Sequence, residues 1–541
     1  MIKINNVSIN NLKNISLNIP LNKFVCFVGK SGSGKSTLAI NVIYSGYYHN
    51  STNVSIETKP ILFSQKVLIP NTKETVRDYL DVKASSVIEH NHMHRIIKLL
   101  GLDCLDQSQK IITLSLNTYN KLRFFKYLNS IVDEKLLIID ELGSGLCYEE
   151  AMNIVEIYKL LINNGFSIIA VEHSIPLILN SDYVVELGPD AGIHGGNITF
   201  TGPTSQFLTT NSIFIQNINS HFKSASNISQ NKILTFKNIT YLNYKDLNFK
   251  IPLNCLVTII GGSGSGKTNL LKIVQKLTNK ASGAWKDRVD VIYEDVLGKN
   301  NIRRPHIVDQ SPISSNSRSI PLTYIGLMDQ VRQCYAEKFN LPMDEFSFNG
   351  KGKCSKCNGK GYIVEKINKE EIFNVCPQCF GKRYKNEILD KKIWKYSIGE
   401  VLNKTAEENI TIFDKLGIQN RKLKFLSDIG LSYLCLGQPS ITLSGGECQR
   451  IKIARELAKK LGDRSVYILD TPSRGLHVSD INKLMNMFNL LKNKNNSIIV
   501  ADNNPRVIVN SDWVIYIAND EIKYSGKVED IPPYIKTKMG L

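Results

Sequence analysis

The sequence predicts an α/β protein made of two tandem copies of one plan, each with a largely parallel sheet. Two observations predict it, and a third locates an addition. First, short β-branched runs alternate with helical patterns. "KFVCFVG", "KLLIID" and "FSIIAVEH" read as strands in the first half, and "CLVTIIG", "SVYILD" and "NSIIVAD" answer in the second. Second, Leu17–Leu38 aligns without a gap on Phe249–Leu270 at an offset of 232, whereas Asn180–Leu187 aligns on Asn510–Ile517 at 330. Third, the difference between these offsets leaves about a hundred extra residues between the early and late motifs of the second copy. The expected division is 1–222 and 223–541, with the join in polar Asn217–Lys232 and an inserted portion over 300–440.

A chain of 541 residues, 42% hydrophobic and 21% charged, fits a soluble protein of two to four domains. No run of eighteen apolar residues marks a membrane span. The opening "MIKINNVSINNLKNISLNIP" alternates apolar and polar residues and has no apolar core of a signal peptide, so a cytoplasmic location is expected. The formal charge of +18 suits a polyanion such as nucleic acid. It equally suits a lysine-rich solvated surface, and charge alone does not choose between the two.

Each half opens with a phosphate cradle. "GKSGSGKS" (Gly29–Ser36) and "GGSGSGKT" (Gly261–Thr268) both fit G-x-x-x-x-G-K-[ST], each after an apolar strand and before a helical pattern. Gly29, Gly32 and Gly34, and Gly261, Gly264 and Gly266, let backbone N–H groups curl around phosphate oxygens. Lys35 and Lys267 are placed for the β/γ-phosphates, and Ser36 and Thr268 for Mg²⁺. Thr37 and Asn269, next in the chain, are further candidate nucleotide-binding residues. A chance Gly/Ser loop would not be expected twice in the same context.

Further along, the halves diverge. "LLIIDE" ends in Asp140, suited to Mg²⁺, and Glu141, suited to polarising the attacking water. His173 follows thirty-three residues after Asp140, at the end of a strand on the sheet edge where ligands gather. In the second half Asp470 is kept, but Thr471 stands for the glutamate and Asn503 for the histidine. A second motif has the reverse asymmetry. In "TLSGGECQRIKIARELAKK", Ser444, Gly445 and Gly446 open an amphipathic helix whose first N–H groups suit an anion. In the matching "TLSLNTYNKLRFFKYLNS" the glycines are replaced by Leu116 and Asn117.

Of eleven cysteines, Cys354, Cys357, Cys376 and Cys379 form C-x₂-C-x₁₈-C-x₂-C inside the insertion. That spacing suits four-thiolate Zn²⁺, a closed and therefore structural site, better than a redox dithiol. The other seven read as small buried hydrophobes, not disulfides. Lys351, Lys353, Lys356, Lys360, Lys382, Arg383 and Lys385 make the module basic, with Arg303, Arg304 and Arg318 nearby.

Duplicated cradles with an LSGGE-type helix before each acidic strand resemble ATP-binding-cassette ATPases. Within these the sequence is most similar to the UvrA family of nucleotide excision repair. The likeness runs from about Ile4 to Gly526 through "IVDQSPISSNSRSIPLTYIGLMDQVR", "FSFNGKGKCSKCNGKGY", "CPQCFGKRY", "LKFLSDIGLSYLCLGQPSITLSGGECQRIKIARELAK" and "DYVVELGPDAGIHGG". The resemblance implies two cassette halves in tandem with a zinc module in the second. It implies ATP, Mg²⁺ and Zn²⁺ as ligands, a homodimer, and duplex DNA as partner, with the zinc module beside it. It also implies Gln65 and Gln310 as Q-loop glutamines, Gln65 among the catalytic residues and Gln310 among those that bind the nucleotide. It further implies a head-to-tail clamp in which each cradle meets the other half's signature helix. One composite site would join Gly29–Ser36, Gln65, Asp140, Glu141 and His173 to Leu443–Glu447, and would be intact. The other would join Gly261–Thr268, Asp470, Thr471 and Asn503 to the altered "LSLNT", and would bind without cutting.

The sequence departs from the family in two respects, a missing insertion and the absence of a first zinc module. Only 84 residues separate Gly29 from Thr113, too few for the large insertion that docks the next repair subunit. That partner is therefore not expected. Three readings remain: a DNA-damage-binding ATPase, a resistance factor that displaces ligands from DNA, and a cassette ATPase serving a transporter or the ribosome.

Overall fold

The computed structural model describes residues 1–64, 74–81, 88, 90–212, 214–216, 232–278, 290–308, 313, 318–367, 370–443, 445–457 and 464–541. Gln65, Gln310 and Ser444, and the expected join near 222, lie outside the described residues. By contacts the chain separates into two compact units. One is Met1–Ile307 with Asp463–Leu541, and the other is Val308–Gly462.

The first unit holds both copies of the plan. Its two six-stranded sheets have the same order. In the first copy this is Pro60–Phe63, Leu136–Asp140, Ser167–Val171, Phe24–Val28, Tyr183–Gly188 and Asn197–Pro203. In the second it is Arg304–Val308, Ser465–Asp470, Ser497–Ala501, Leu256–Ile260, Trp513–Ala518 and Glu521–Lys527. The register repeats as well. Phe24 lies opposite Ile168 and Val25 opposite Tyr183. Leu256 lies opposite Ile498 and Val257 opposite Trp513. These are the partners that the offsets of 232 and 330 dictate, so the duplication read in the sequence is a duplication of hydrogen-bond ladders. The central strands Phe24–Val28 and Leu256–Ile260 are buried along their whole length, as parallel strands covered on both faces must be. Each copy also carries a three-stranded antiparallel sheet, such as Ile2–Val7 between Ile15–Ile19 and Val54–Ser55.

Each copy has its own core, one around Phe24, Phe124, Tyr158 and Phe166, the other around Phe236, Phe249, Leu270 and Ile499. The copies also exchange residues across their join. Cys147 of the first packs with Ile260, Val514 and Tyr516 of the second, and Val478 of the second joins the first core. The two positions are related by the 330 offset and its neighbours, so the exchange is nearly reciprocal. Apolar burial of this kind fixes one copy's loops against the other's cradle.

The second unit contains the cysteine quartet and the helix Gly445–Leu457. Between the cysteine pairs a hairpin pairs Tyr362–Ile367 with Glu370–Val375. No helix among the described residues is long and apolar enough to cross a membrane.

Candidate active site

Each phosphate cradle is set by its strand and closed by its lysine. Gly29 has φ +139° and Gly261 +155°, and a Cβ there would meet the carbonyl oxygens of Leu187 and Ile517 at 2.2 and 2.3 Å. Only glycine fits so close to a neighbouring strand end. The helices after the cradles take their first bonds from inside them, Leu38 N–H to Gly34 and Leu270 N–H to Gly266, both 2.9 Å. Thr37 and Asn269 therefore lie in the first helical turns, at Thr37–Tyr44 and Lys267–Thr278. Lys35 Nζ donates to the carbonyls of Gly29 and Lys30 at 2.8 Å each, and Lys267 Nζ to those of Gly261 and Gly262 at 2.5 and 2.7 Å. The ammonium groups thus wait over the mouths of their cradles. Gly32, Gly34, Gly264 and Gly266 all have positive φ, which turns the intervening N–H groups inward.

The metal-side pairs are also assembled in both. Ser36 Oγ donates to Asp140 Oδ1 at 3.3 Å, and Thr268 Oγ1 to Asp470 Oδ2 at 3.0 Å. A hydroxyl and a carboxylate at this separation suit Mg²⁺, which takes few protein ligands.

The next position separates the two. Glu141 and Thr471 share a left-handed backbone, φ +54° and +51°, and equivalent N–H bonds, to Val171 at 2.9 Å and Ala501 at 2.7 Å. Their side chains do different things. The Glu141 carboxylate lies 3.9 Å from His173 Nε2. Burial, and then the adjacent Asp140, push its pKa up to about 8, with Lys35 and Arg474 pulling the other way. A raised pKa makes the ionised carboxylate a stronger base toward water than an ordinary glutamate. Thr471 instead turns its hydroxyl back to Asp470 Oδ1 at 3.1 Å. Asn503, at the histidine's place, accepts the Gly261 N–H at 3.2 Å.

Residues of the opposite copy line both pockets; the altered "LSLNT" was expected at the second cradle, whereas the motifs alone did not reveal Arg474, Gly475, His477 and Glu150. At the first cradle, Ser31 Oγ donates to the Gly475 carbonyl at 3.0 Å, and a Cβ on Gly475 would stand 2.9 Å from Glu141 Oε2. Arg474 is buried, which lowers its pKa, while Glu141 and Asp470 favour its charge. His477 is buried with its ring 6.3 Å from that of His173. Burial and then the Lys35 charge hold it down at about 3, so it is neutral. At the second cradle, Thr118 of the altered signature faces Gly264, whose Cβ would be 3.5 Å from Thr118 Oγ1. Asn117 Nδ2 donates to the Gly145 carbonyl at 3.0 Å, and Gly145 in turn abuts Thr471. Glu150 accepts the Ser263 N–H at 2.9 Å. The signal that could have found Gly475 and His477 is the 330 offset, which aligns "SGLC" with "RGLH".

In the other unit the four cysteine sulfurs lie within 4.8 Å of one another, all buried. Cys357 and Cys379 are 3.7 Å apart, close to the roughly 3.8 Å that tetrahedral Zn–S bonds of about 2.3 Å impose. Gly361 N–H donates to Cys357 Sγ at 3.2 Å, an outer contact that suits a thiolate. The donor set therefore fits zinc. Arg383, expected among the basic surface residues, is fully buried instead. Its guanidinium donates to the carbonyls of Gly437 (3.1 and 2.9 Å) and Gly359 (3.0 Å) and lies over Phe348. It ties the module to its own unit and, being fully buried, does not face solvent where a phosphate could reach it. Lys351, Lys353 and Lys356 are exposed, whereas Lys382 and Lys385 pair with Glu400 and with Glu345 and Glu387.

Comparison with known proteins decides the family. The chain is 34% identical over 445 residues to UvrABC system protein A of Helicobacter pylori (strain ATCC 700392 / 26695), covering 79% of this chain and 47% of that protein. It belongs to the UvrA family. UvrABC system protein A of Clostridium perfringens is 35% identical over 429 residues, 77% of this chain and 46% of that one. The family described as "ABC transporter" matches residues 12–143 and 244–333, which span the first cradle with its Asp140–Glu141 pair and the second cradle. A crystal structure of UvrA2 from Deinococcus radiodurans superposes with a TM-score of 0.85 at 20% identity, over 97% of each chain, and shows a common fold. The chain spans about half the length of the curated relatives it matches.

Proposed function

We propose that this UvrA-family chain is an ATPase of nucleotide excision repair type that binds distorted duplex DNA, with one pocket that hydrolyses and one that holds nucleotide. The carrying observation is the pair Glu141 and Thr471, which have one backbone geometry and opposite chemistry. In the first pocket Lys35 and the cradle N–H groups bind the phosphates, and Ser36 and Asp140 would hold Mg²⁺, which would supply charge neutralisation for phosphoryl transfer. Glu141 takes the proton of the attacking water, and His173 steadies that carboxylate from its far side. Arg474 balances the buried acids. The signature Ser444, Gly445 and Gly446 would contribute N–H donors to this pocket and Gln65 would act at its γ-phosphate, while Gln310 belongs to the second pocket. The exposed lysines of the zinc module, which holds a structural Zn²⁺, touch DNA backbone, and two chains act as a homodimer. Loss of a general base costs about 10²–10⁴-fold in rate. Glu141→Gln is expected to abolish ATP turnover while Lys267→Ala leaves a measurable part, and equal loss in the two would defeat the asymmetric reading.

A second reading is favoured by the 84-residue span from Gly29 to Thr113. Without room there for a docking domain, the chain would displace small molecules bound to DNA and not recruit a repair partner. Gel shifts with lesion-bearing and drug-treated duplexes, with and without ATP, separate the two.

A further inference from the structure

The second pocket already contains an anion. Glu150 belongs to the first copy, in the opening turn of the helix Tyr148–Asn163. Its Oε2 accepts the Cys147 N–H at 3.0 Å, an ordinary helix cap. Its Oε1 leaves the helix and crosses to the other copy. It accepts the backbone N–H of Ser263, the third residue of the second cradle, at 2.9 Å. The same oxygen takes the Lys121 ammonium at 2.6 Å, and both side chains are largely buried. Burial alone would raise the Glu150 pKa, but Lys121, the Cys147 N–H and the charge of Lys267 bring it down to about 2. The group is a carboxylate at any physiological pH.

A cradle N–H exists to receive a phosphate oxygen. Here one is taken by a fixed negative charge whose field reaches Lys267, the residue that meets the β/γ end of a nucleotide. The matching residue at the first pocket, Asp480, is one methylene shorter and pairs with Lys483 of its own helix at 3.8 Å. Capping explains Oε2 and leaves Oε1 unexplained.

We propose that Glu150 makes the second pocket selective for a nucleoside diphosphate over a triphosphate, by holding the donor and the space that a γ-phosphate would need. The inference rests on the reading that Gly261–Thr268 binds nucleotide, and deepens it. The pocket that lacks a base and a histidine then also lacks a welcome for the group they would attack. Lys121 tunes the effect, because it neutralises the carboxylate from the side.

The test uses the whole chain carrying Lys35→Ala, so that nucleotide binding reports the second pocket, with ADP and the non-hydrolysable AMP-PNP as probes. ADP is expected to bind about tenfold tighter or more. Adding Glu150→Gln, which keeps an oxygen for the Cys147 N–H, should tighten AMP-PNP about tenfold and leave ADP within about twofold. Adding Lys121→Met should act oppositely and weaken AMP-PNP further, because the carboxylate loses its counter-charge. These opposed signs are what a purely structural role would not give. If Glu150→Gln weakens both nucleotides alike or changes neither, Glu150 is only a cap and the proposal is overturned. Should that variant fail to fold, the Lys121→Met shift decides alone. If ADP itself does not bind in the Lys35→Ala chain, the nucleotide reading of this pocket falls too.

Discussion

The contact between Gly475 and Glu141 links one copy's loop to the other's chemistry, and a single methyl group tests it. In Gly475→Ala the new Cβ would sit 2.9 Å from Glu141 Oε2. An unstrained contact needs about 3.4 Å, so the carboxylate must retreat by about 0.5 Å. The backbone adds its own cost, because φ at Gly475 is +65° and a left-handed alanine costs roughly 1–2 kcal/mol. Misplacing a reacting group by 1 Å costs up to about 10²-fold, so half that displacement predicts about a tenfold loss of kcat. ATP affinity should hold, since Lys35 is untouched and alanine keeps the carbonyl that Ser31 of the cradle meets. Gly145→Ala is the matched control. Its φ is +80°, and its Cβ would meet Asn117 at 3.2 Å and Thr471 at 3.6 Å, not Glu141. Steady-state ATP turnover, equilibrium ATP binding and thermal melting are measured on both. The two variants should melt earlier by similar amounts, and only Gly475→Ala should lose most of its turnover. Equal turnover loss in both, or unchanged turnover in Gly475→Ala, would refute the reasoning.

Three further outcomes are expected. His477 is held neutral at about 3 against an ordinary 6.5, so its contribution to stability is complete above pH 6.5. As pH falls below 6.5 the unfolded chain takes a proton that the folded chain refuses, at about 1.4 kcal/mol per unit until pH 3. Denaturant titrations of His477→Asn between pH 7 and 5 should therefore show a shallower decline than the unmutated chain, and parallel declines would contradict the account. Elemental analysis should find one zinc per chain, lost in Cys379→Ser. Limited proteolysis should then cut within 350–385 while ATP binding persists, and a zinc-free chain equally resistant to protease would argue against a structural ion. Replacing Lys351, Lys353 and Lys356 by alanine should reduce the slope of log affinity for duplex DNA against log salt by up to about 2.7, whereas an unchanged slope would remove these lysines from the interface.

Much of the fold was legible because phosphate cradles constrain sequence tightly. Gly29 and Gly261 have to be glycine, the strands before them are buried throughout, and the two copies spell this out at one offset. The cysteine quartet was legible for the same reason, as four thiolates around one ion fix their own spacing. What stayed hidden depends on the meeting of distant segments. Nothing local about Glu150 distinguishes a helix cap from a carboxylate that reaches another cradle. Gly475 reads as a turn glycine until Glu141 is placed beside it. Arg383 looked like one basic residue among several, and only the three-dimensional arrangement of Gly437, Gly359 and Phe348 shows why it is inside. The compact unit Val308–Gly462 also exceeds the 300–440 insertion, because the signature helix belongs with it.

The order of the strands has one more consequence. In both copies the longest detour of the chain leaves from the sheet's outermost strand, Pro60–Phe63 or Arg304–Val308, and re-enters at its immediate neighbour. The central strand and its glycine loop never take part. Sequence can therefore grow or shrink on that detour, outside the signature segment it also carries, without breaking the strand ladder around either cradle. Two copies of one engine can in this way diverge into a short-armed and a long-armed version, and descendants can trade appendages at that margin while the motor stays the same.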